Sequence, residues 1–128
     1  GKVVVDITNP LTADYMGLTI GHDTSAAEEI AKAAPGAEVV KAFNTVFAPV
    51  LAEGAALGGQ KVTVFLASDS ERAKQTARAI AESMGFQTMD AGGLKNARYL
   101  EPLAGLTIYF GYGAGLGTGI APTWIGKN

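Results

Sequence analysis

The stretch KVTVFLASDSERAKQTARAIAESMGFQTMD, residues 61–90, holds a complete strand–helix–strand unit. Lys61–Ala67 reads as a buried strand. Ser68 stands three residues before Glu71, a capping-box spacing. Ala73, Ala77, Ile80, Ala81 and Met84 then share one face of a helix that Gly85 ends. Phe86–Asp90 reads as the next strand. Upstream, Lys2–Ile7 carries Val3, Val4 and Val5 in a row, the segment from the Ser25 cap to Ala34 is helical, and Pro35-Gly36 stops it. Glu38–Phe43 is another strand, and a short helix through Val50 and Leu51 starts near Pro49. Downstream, Gly92-Gly93 turn the chain into a helix on which Leu94, Ala97, Leu100, Leu103 and Ala104 keep helical spacing, with Pro102 expected to kink or divide it. Strands alternating with helices predict an α/β fold with βαβ crossovers, a parallel sheet and right-handed connections.

The chain has 128 residues and 13.1 kDa, enough for one self-standing core. With 48% hydrophobic and 17% charged residues, disorder is excluded as the main state. Ten basic against twelve acidic residues leave a net charge of −2, which offers no footprint for nucleic acid. The lack of cysteine removes disulfides, thiolate catalysis and zinc–thiolate sites, and agrees with a cytoplasmic location. Gly1 at the start reads as a processed chain or as part of a longer one. Between Glu101 and Lys127 there is no charge, a length able to span a bilayer. Glycines at 111, 113, 115, 117 and 119, followed by Pro122, speak against a long helix there, so a buried helix and a glycine-rich loop are expected instead of a membrane span.

Three strands end in polar turns, Thr8-Asn9-Pro10, Asn44-Thr45 and Ser68-Asp69-Ser70. Each alone reads as a cap or turn. Together they are expected to line one ligand-binding rim beyond the strand ends. The dinucleotide fingerprint GxGxxG is absent, as are a Walker sequence and a GxSxG elbow. The tail glycines, Gly113 and Gly115 in particular, suit a surface where a flat ligand presses on backbone; a flexible loop is the plainer reading. His22 has no second imidazole to share a metal and reads as an ordinary loop residue, so no metal site is assigned. Glu28 and Glu29 fall in a helix's first turn, where they favour the macrodipole.

Taken in order, GKVVVDITNPL (1–11), DTSAAEEI (23–30), VVKAFNTVFA (39–48), DSERAKQTARAIAESMGF (69–86) and DAGGLKNARYLEPLAGL (90–106) resemble the NADP oxidoreductases of the coenzyme F-420-dependent type. The same domain is similar to the reductase portion of STEAP-type metalloreductases, which adds a flavin-linked possibility. The resemblance implies that a glycine-rich N-terminal half is missing, that Gly1 opens the fourth strand of a Rossmann sheet, and that residues 1–93 form the second half of the dinucleotide-binding domain. Residues 94–128 would be a helix and a glycine-rich segment for a ring cofactor. It implies hydride transfer between NADP(H) and a deazaflavin or flavin. Asn9, Pro10, Ala42, Phe43 and Asn44 would approach the nicotinamide, while Leu94 and the stretch Gly111–Ile120, with Gly113 and Gly115, would receive the ring. Two departures stand out: Ala91-Gly92-Gly93-Leu94 replaces Ala-Gly-Pro-Leu, and Pro49 interrupts the usual block. This chain alone is expected to be catalytically incomplete and to self-associate, as a homodimer or in aggregates, through the open edge of the strand Val3–Ile7. The alternative is a non-catalytic dinucleotide-fold module acting in binding or oligomerisation.

Overall fold

The computed structural model describes residues 1–126. Its elements run β1 (Val3–Asp6), α1 (Ala26–Ala33), β2 (Glu38–Lys41), α2 (Ala48–Glu53), the hairpin β3 (Ala56–Leu57) and β4 (Gln60–Lys61), β5 (Thr63–Ser68), α3 (Glu71–Ser83), β6 (Gln87–Asp90) and α4 (Ala97–Ile108). A 3₁₀ turn, Leu94–Asn96, leads into α4, and a π-helical turn, Tyr109–Gly113, follows it. Four strands form the main sheet in the order β1-β2-β5-β6.

β1 and β2 are parallel with α1 as their crossover, and β5 and β6 are parallel with α3 as theirs. The fully parallel expectation fails at the centre, where β2 and β5 are antiparallel, Val40 facing Ser68 and Lys41 facing Ala67. The connection explains this. α2 has six residues, about 9 Å of helix, and the β3–β4 hairpin turns the chain back at the same end of the sheet, so β5 re-enters from the end at which β2 leaves. The turn Ser68-Asp69-Ser70 therefore lies at the opposite end from Asn9 and Asn44, and the three polar turns do not share a rim. Ser68 Oγ donates to the Val39 carbonyl at 2.6 Å, and Ser70 Oγ donates to Glu38.

Every residue of β5 is buried. Val64 and Leu66 face α3, and Phe65 and Ala67 face α4. Ala73, Ala77 and Ala81 form the buried stripe of α3, small enough to bring the helix close to the sheet. Ile80 and Met84, expected on that stripe, are 43% and 42% exposed because the alanine line is centred on the sheet and leaves them at its margin. The α3 cap is Ser70, whose hydroxyl accepts from the Ala73 N–H at 3.1 Å, and not Ser68, which is occupied with β2. Ser25 caps α1 as expected, accepting from the Glu28 N–H at 3.1 Å. Pro102 does not divide α4: the helix runs from Ala97 to Ile108 with the proline inside it. β2 stops at Lys41, short of the expected Phe43, because Phe43 takes a left-handed φ of 65°.

At the far end, Arg72 of α3 hydrogen-bonds Glu38 of β2, and Ser70 adds a second bond to the same carboxylate. These contacts hold the Glu38 carboxyl down at about 2, with the Arg72 bond the larger cause. A carboxyl lowered in the folded state stabilises above its unfolded value and loses that contribution as pH falls towards the folded one. The Glu38→Gln variant should therefore show a flatter decline of urea midpoint than the parent between about pH 4.5 and pH 2. Parallel curves across that window would show that Glu38 has no such role.

Candidate functional site

β1 and β2 end side by side, and each ends on a charge. Asp6 and Lys41 are both buried at a sheet end that solvates neither, so each needs a partner from within the fold. Lys41 Nζ lies 3.0 Å from Asp6 Oδ2 and 2.8 Å from Glu101 Oε2 of α4, and donates to the Thr8 carbonyl at 2.6 Å. Glu101 also accepts from the N–H groups of Ala26 and Ala27, at 2.8 and 3.2 Å. It thus caps the first turn of α1, where the helix end favours negative charge. Asp6 Oδ1 accepts from the Thr8 N–H and hydroxyl, which bends the chain into the loop after β1. Three elements, the strand ends, α1 and α4, are fixed by one buried ion cluster.

A second link between α1 and α4 lies beside it. Arg98 presents Nε and Nη2 to the two oxygens of Glu28, each at 2.9 Å. Burial pushes the Glu28 carboxyl up, but hydrogen bonds from Arg98 and Ser25 with the Arg98 charge outweigh it and hold the group below its ordinary range.

Beyond the ion cluster, Asn9 and Asn44 clasp each other. Asn9 Nδ2 donates to the Asn44 carbonyl at 3.0 Å, and Asn44 Nδ2 donates to Asn9 Oδ1 at 3.3 Å and to the Leu100 carbonyl at 2.9 Å. Both donors of the Asn44 amide are committed, while its buried Oδ1 has no partner among the described residues; nor has the buried hydroxyl of Thr45. An unmatched buried polar atom costs about 1–3 kcal/mol. These two side chains line a pocket of about 550 Å³ together with Asn9. Its other walls are mostly apolar: Ala104, Thr107 and Ile108 of α4, Phe47, Tyr112, and Tyr15 and Met16 from the loop after β1. That loop is closed by a bridge between Leu11 and Leu18 and by the Thr12–Asp14 contact at 2.6 Å. Tyr15, 64% exposed with φ of 62°, sits at the mouth opposite Tyr112.

Of the residues singled out in the sequence, Asn9 and Asn44 meet in this pocket, while Pro10 stands behind Asn9, its carbonyl accepting from Thr19. Ala42 is fully buried in the core, and Phe43 turns towards α3 and meets Phe86 edge-on at 6.3 Å, so neither lines the pocket. Leu94 is buried with Ala27, Val39 and Ala97, its N–H held by Asp69 at 3.0 Å. It shares no cavity with Asn44, because antiparallel β5 carries Asp69 to the other sheet end. A Cβ on Gly113 would fall 2.8 Å from Tyr109 Cδ1 and 3.7 Å from the Met16 methyl, so the room this glycine leaves is taken by the Tyr109 ring, and Gly115 faces open space. Gly111 is as tightly placed, since a Cβ there would fall 2.7 Å from Phe47 Cζ. His22 stands exposed in the loop before α1, with φ of 65°. No helix among the described residues is long and apolar enough to cross a membrane.

Sequence reading placed Thr45 on the expected rim with Asn44, but missed Asp6, Lys41, Glu101 and the α4 wall. Lys41 and Glu101 stand inside the stretches VVKAFNTVFA (39–48) and DAGGLKNARYLEPLAGL (90–106) that carry the resemblance, but neither shows in the sequence that its charge is buried.

No family model matches the chain. It is 36% identical over 103 residues to metalloreductase STEAP3 of Rattus norvegicus, a match covering 80% of this chain and 20% of that protein. It is 34% identical over 115 residues to the F420-dependent NADP reductase of Methanothermobacter marburgensis, covering 84% of this chain and 50% of that protein. The solved structure of a putative F420-dependent NADP-reductase from Arthrobacter sp. FB24 superposes with a TM-score of 0.87 at 28% identity, covering 98% of this chain and 58% of that one. The chain thus spans about half the length of the F420-dependent reductases it matches.

The Lys41→Met variant leaves two buried carboxylates facing each other without their cation, and should lose about 3–5 kcal/mol of stability in urea unfolding. Adding Asp6→Asn should recover part of that loss. A single variant within about 1 kcal/mol of the parent would contradict the role given to the cluster.

Proposed function

We propose that this chain, a relative of the F420-dependent NADP reductases, is the part of an NADP-dependent oxidoreductase in which hydride passes between NADP(H) and a deazaflavin, with a flavin as the less favoured acceptor. The observation that carries this reading is the pocket beyond β1 and β2, whose apolar walls suit a flat ring and whose wall residues Asn44 and Thr45 hold an unpartnered oxygen and hydroxyl. A carboxamide or lactam edge offers the N–H that Asn44 Oδ1 lacks and a carbonyl for the Thr45 hydroxyl. When bound, the two coenzymes supply the donor and acceptor carbons, so the protein's task is to orient and to exclude water.

The residues present fit that task. Asn44 is held by Asn9 and Leu100, so its free oxygen has a fixed direction. Ala104, Thr107 and Ile108 keep one wall low in polarity. With both coenzymes bound, Asn44 and Thr45 would hold a ring edge while a hydride from NADPH and one proton from solvent would pass to the deazaflavin, with NADP⁺ as the product. Residues 1–93 as the second half of a dinucleotide-binding domain and 94–128 as its ring-cofactor segment belong to the same proposal. So does self-association through β1, whose outer edge is unpaired in the sheet; a light-scattering mass that stays monomeric at every dilution would remove it.

The test of the chemistry is isotopic. With NADPH deuterated on the transferred face at C4, the label should appear on the reduced deazaflavin. Label found only in water, or no NADPH oxidation by the protein with its full dinucleotide-binding domain, would overturn the reading. A second test separates site from fold. Thr45→Val removes a hydroxyl that has no partner, so unfolding stability should stay within about 1 kcal/mol while NADPH or deazaflavin affinity falls several-fold. Unchanged affinity for both would remove Thr45 from the site.

A further inference from the structure

The far edge of the sheet, away from the pocket, carries a surface of its own. β6 ends the strand order and pairs only with β5, so its outer edge is open. The Gln87 N–H bonds the Val62 carbonyl and the Ala91 N–H bonds that of Leu66, which turns residues 87, 89 and 91 towards β5. Thr88 and Asp90 therefore present their backbone N–H and carbonyl groups outward. The strand includes neither proline nor lysine, its register has no bulge, and its one charge, Asp90, is drawn back to Lys74 of α3 at 2.9 Å. Such an edge is a template for another strand.

The two faces beside the edge differ. Met89 lies on the α4 side with Phe65, and Thr88 and Asp90 lie on the α3 side with Val64 and Leu66. On the α4 side Met89 borders a largely apolar groove of about 500 Å³, walled by Phe65, Tyr99, Leu103, Leu106 and Trp124. Met89, Tyr99, Leu106 and Trp124 are exposed. On the α3 side stands an unmatched cation. Arg78 makes no salt bridge among the described residues, and its buried Nε has no hydrogen-bond partner there. As the crossover between parallel strands, α3 runs against β6. The turn from Lys74 to Arg78, about 6 Å of helix, thus leads from the level of Asp90 to that of Thr88.

We propose that two copies of this chain join β6 to β6 about a two-fold axis at Met89, making one continuous sheet. In that register Thr88 of each copy lies opposite the partner's Asp90, and the two exchange N–H···O=C bonds, so the outward groups of the edge are matched. Met89 meets the partner's Met89 as a non-hydrogen-bonded pair, the closer kind, where the two apolar grooves adjoin. The partner's Asp90 arrives level with Thr88, where Arg78 lacks a carboxylate. An axis at Thr88 instead would set Asp90 opposite the partner's Phe86, and the Phe86 N–H is already bonded to Ala81. Edge, apolar groove and unmatched cation thus select a second copy and one register. The contact is separate from any made through β1, which lies at the opposite edge.

The chain has no cysteine, so a single introduced thiol reports the seam. Met89→Cys sets two Cβ atoms about 5 Å apart across the axis, within reach of a disulfide. Gln87→Cys, exposed on the same face, sets its two thiols about 13 Å apart along the strands and serves as the control. Under mild oxidation Met89→Cys should become mostly cross-linked dimer, reversed by reductant, while Gln87→Cys stays mostly unlinked. In light scattering over a dilution series the parent should pass from dimer to monomer. Arg78→Glu should move that midpoint to about tenfold higher concentration, with its circular dichroism unchanged. If Met89→Cys links no faster than Gln87→Cys, or if the parent is monomeric at every dilution, the proposal is overturned. A midpoint unmoved by Arg78→Glu would overturn the pairing of Arg78 with the partner's Asp90, and with it the register.

Discussion

One lysine cannot be moved without moving everything around it. Lys41 ends β2 fully buried, and the ammonium it carries into the fold must be matched there. Asp6 matches it from β1 and Glu101 from α4, and Glu101 in turn satisfies two N–H groups that the start of α1 leaves open. The cluster joins the ends of two strands to two helices that contact each other at few other places. Glu28 and Arg98 repeat the α1–α4 link nearer the surface, where solvent weakens it.

The binding pocket is a consequence of that arrangement. Lys41 holds the Thr8 carbonyl, so the chain after β1 turns towards Asn9, and Asn9 clasps Asn44. Asn44 spends its two donors on Asn9 and on the backbone of α4, the helix that Glu101 has anchored. What remains is an acceptor oxygen with no donor, in a wall that rigid neighbours define. A polar atom left unmatched in this way is a cost to folding, and a ligand that matches it recovers that cost on binding.

The parts of the fold set by local chemistry were legible in the sequence. The Ser25 cap, the helix ended near Gly85 and the buried strand Thr63–Ser68 follow from spacing and composition alone. The direction of β5 did not, because nothing in residues 54–62 was read as a hairpin, and the β3–β4 turn is what brings the chain back at the end where β2 leaves. That single reversal moved Ser68-Asp69-Ser70 and Leu94 away from the site. Within the site, Asn9 and Asn44 were readable as polar residues at strand ends. Lys41 and Glu101 were not, since a charge in a sequence carries no sign of burial and its partners lie 35 and 60 positions away. The glycine-rich tail misled in a different way: Gly111 is required by Phe47, an internal packing need, while Gly115 and Gly117 turn the chain with φ of 77° and 81°.

The central claim is that the pocket walled by Asn44 and Thr45 receives the ring of a coenzyme. The most direct measurement is a titration of the isotope-labelled chain with a deazaflavin, followed by nuclear magnetic resonance. The side-chain amide of Asn44 and the backbone signals of Thr45, Ala104 and Thr107 should shift together along one binding curve. Shifts confined to residues around Leu94, or scattered without saturation, would contradict it.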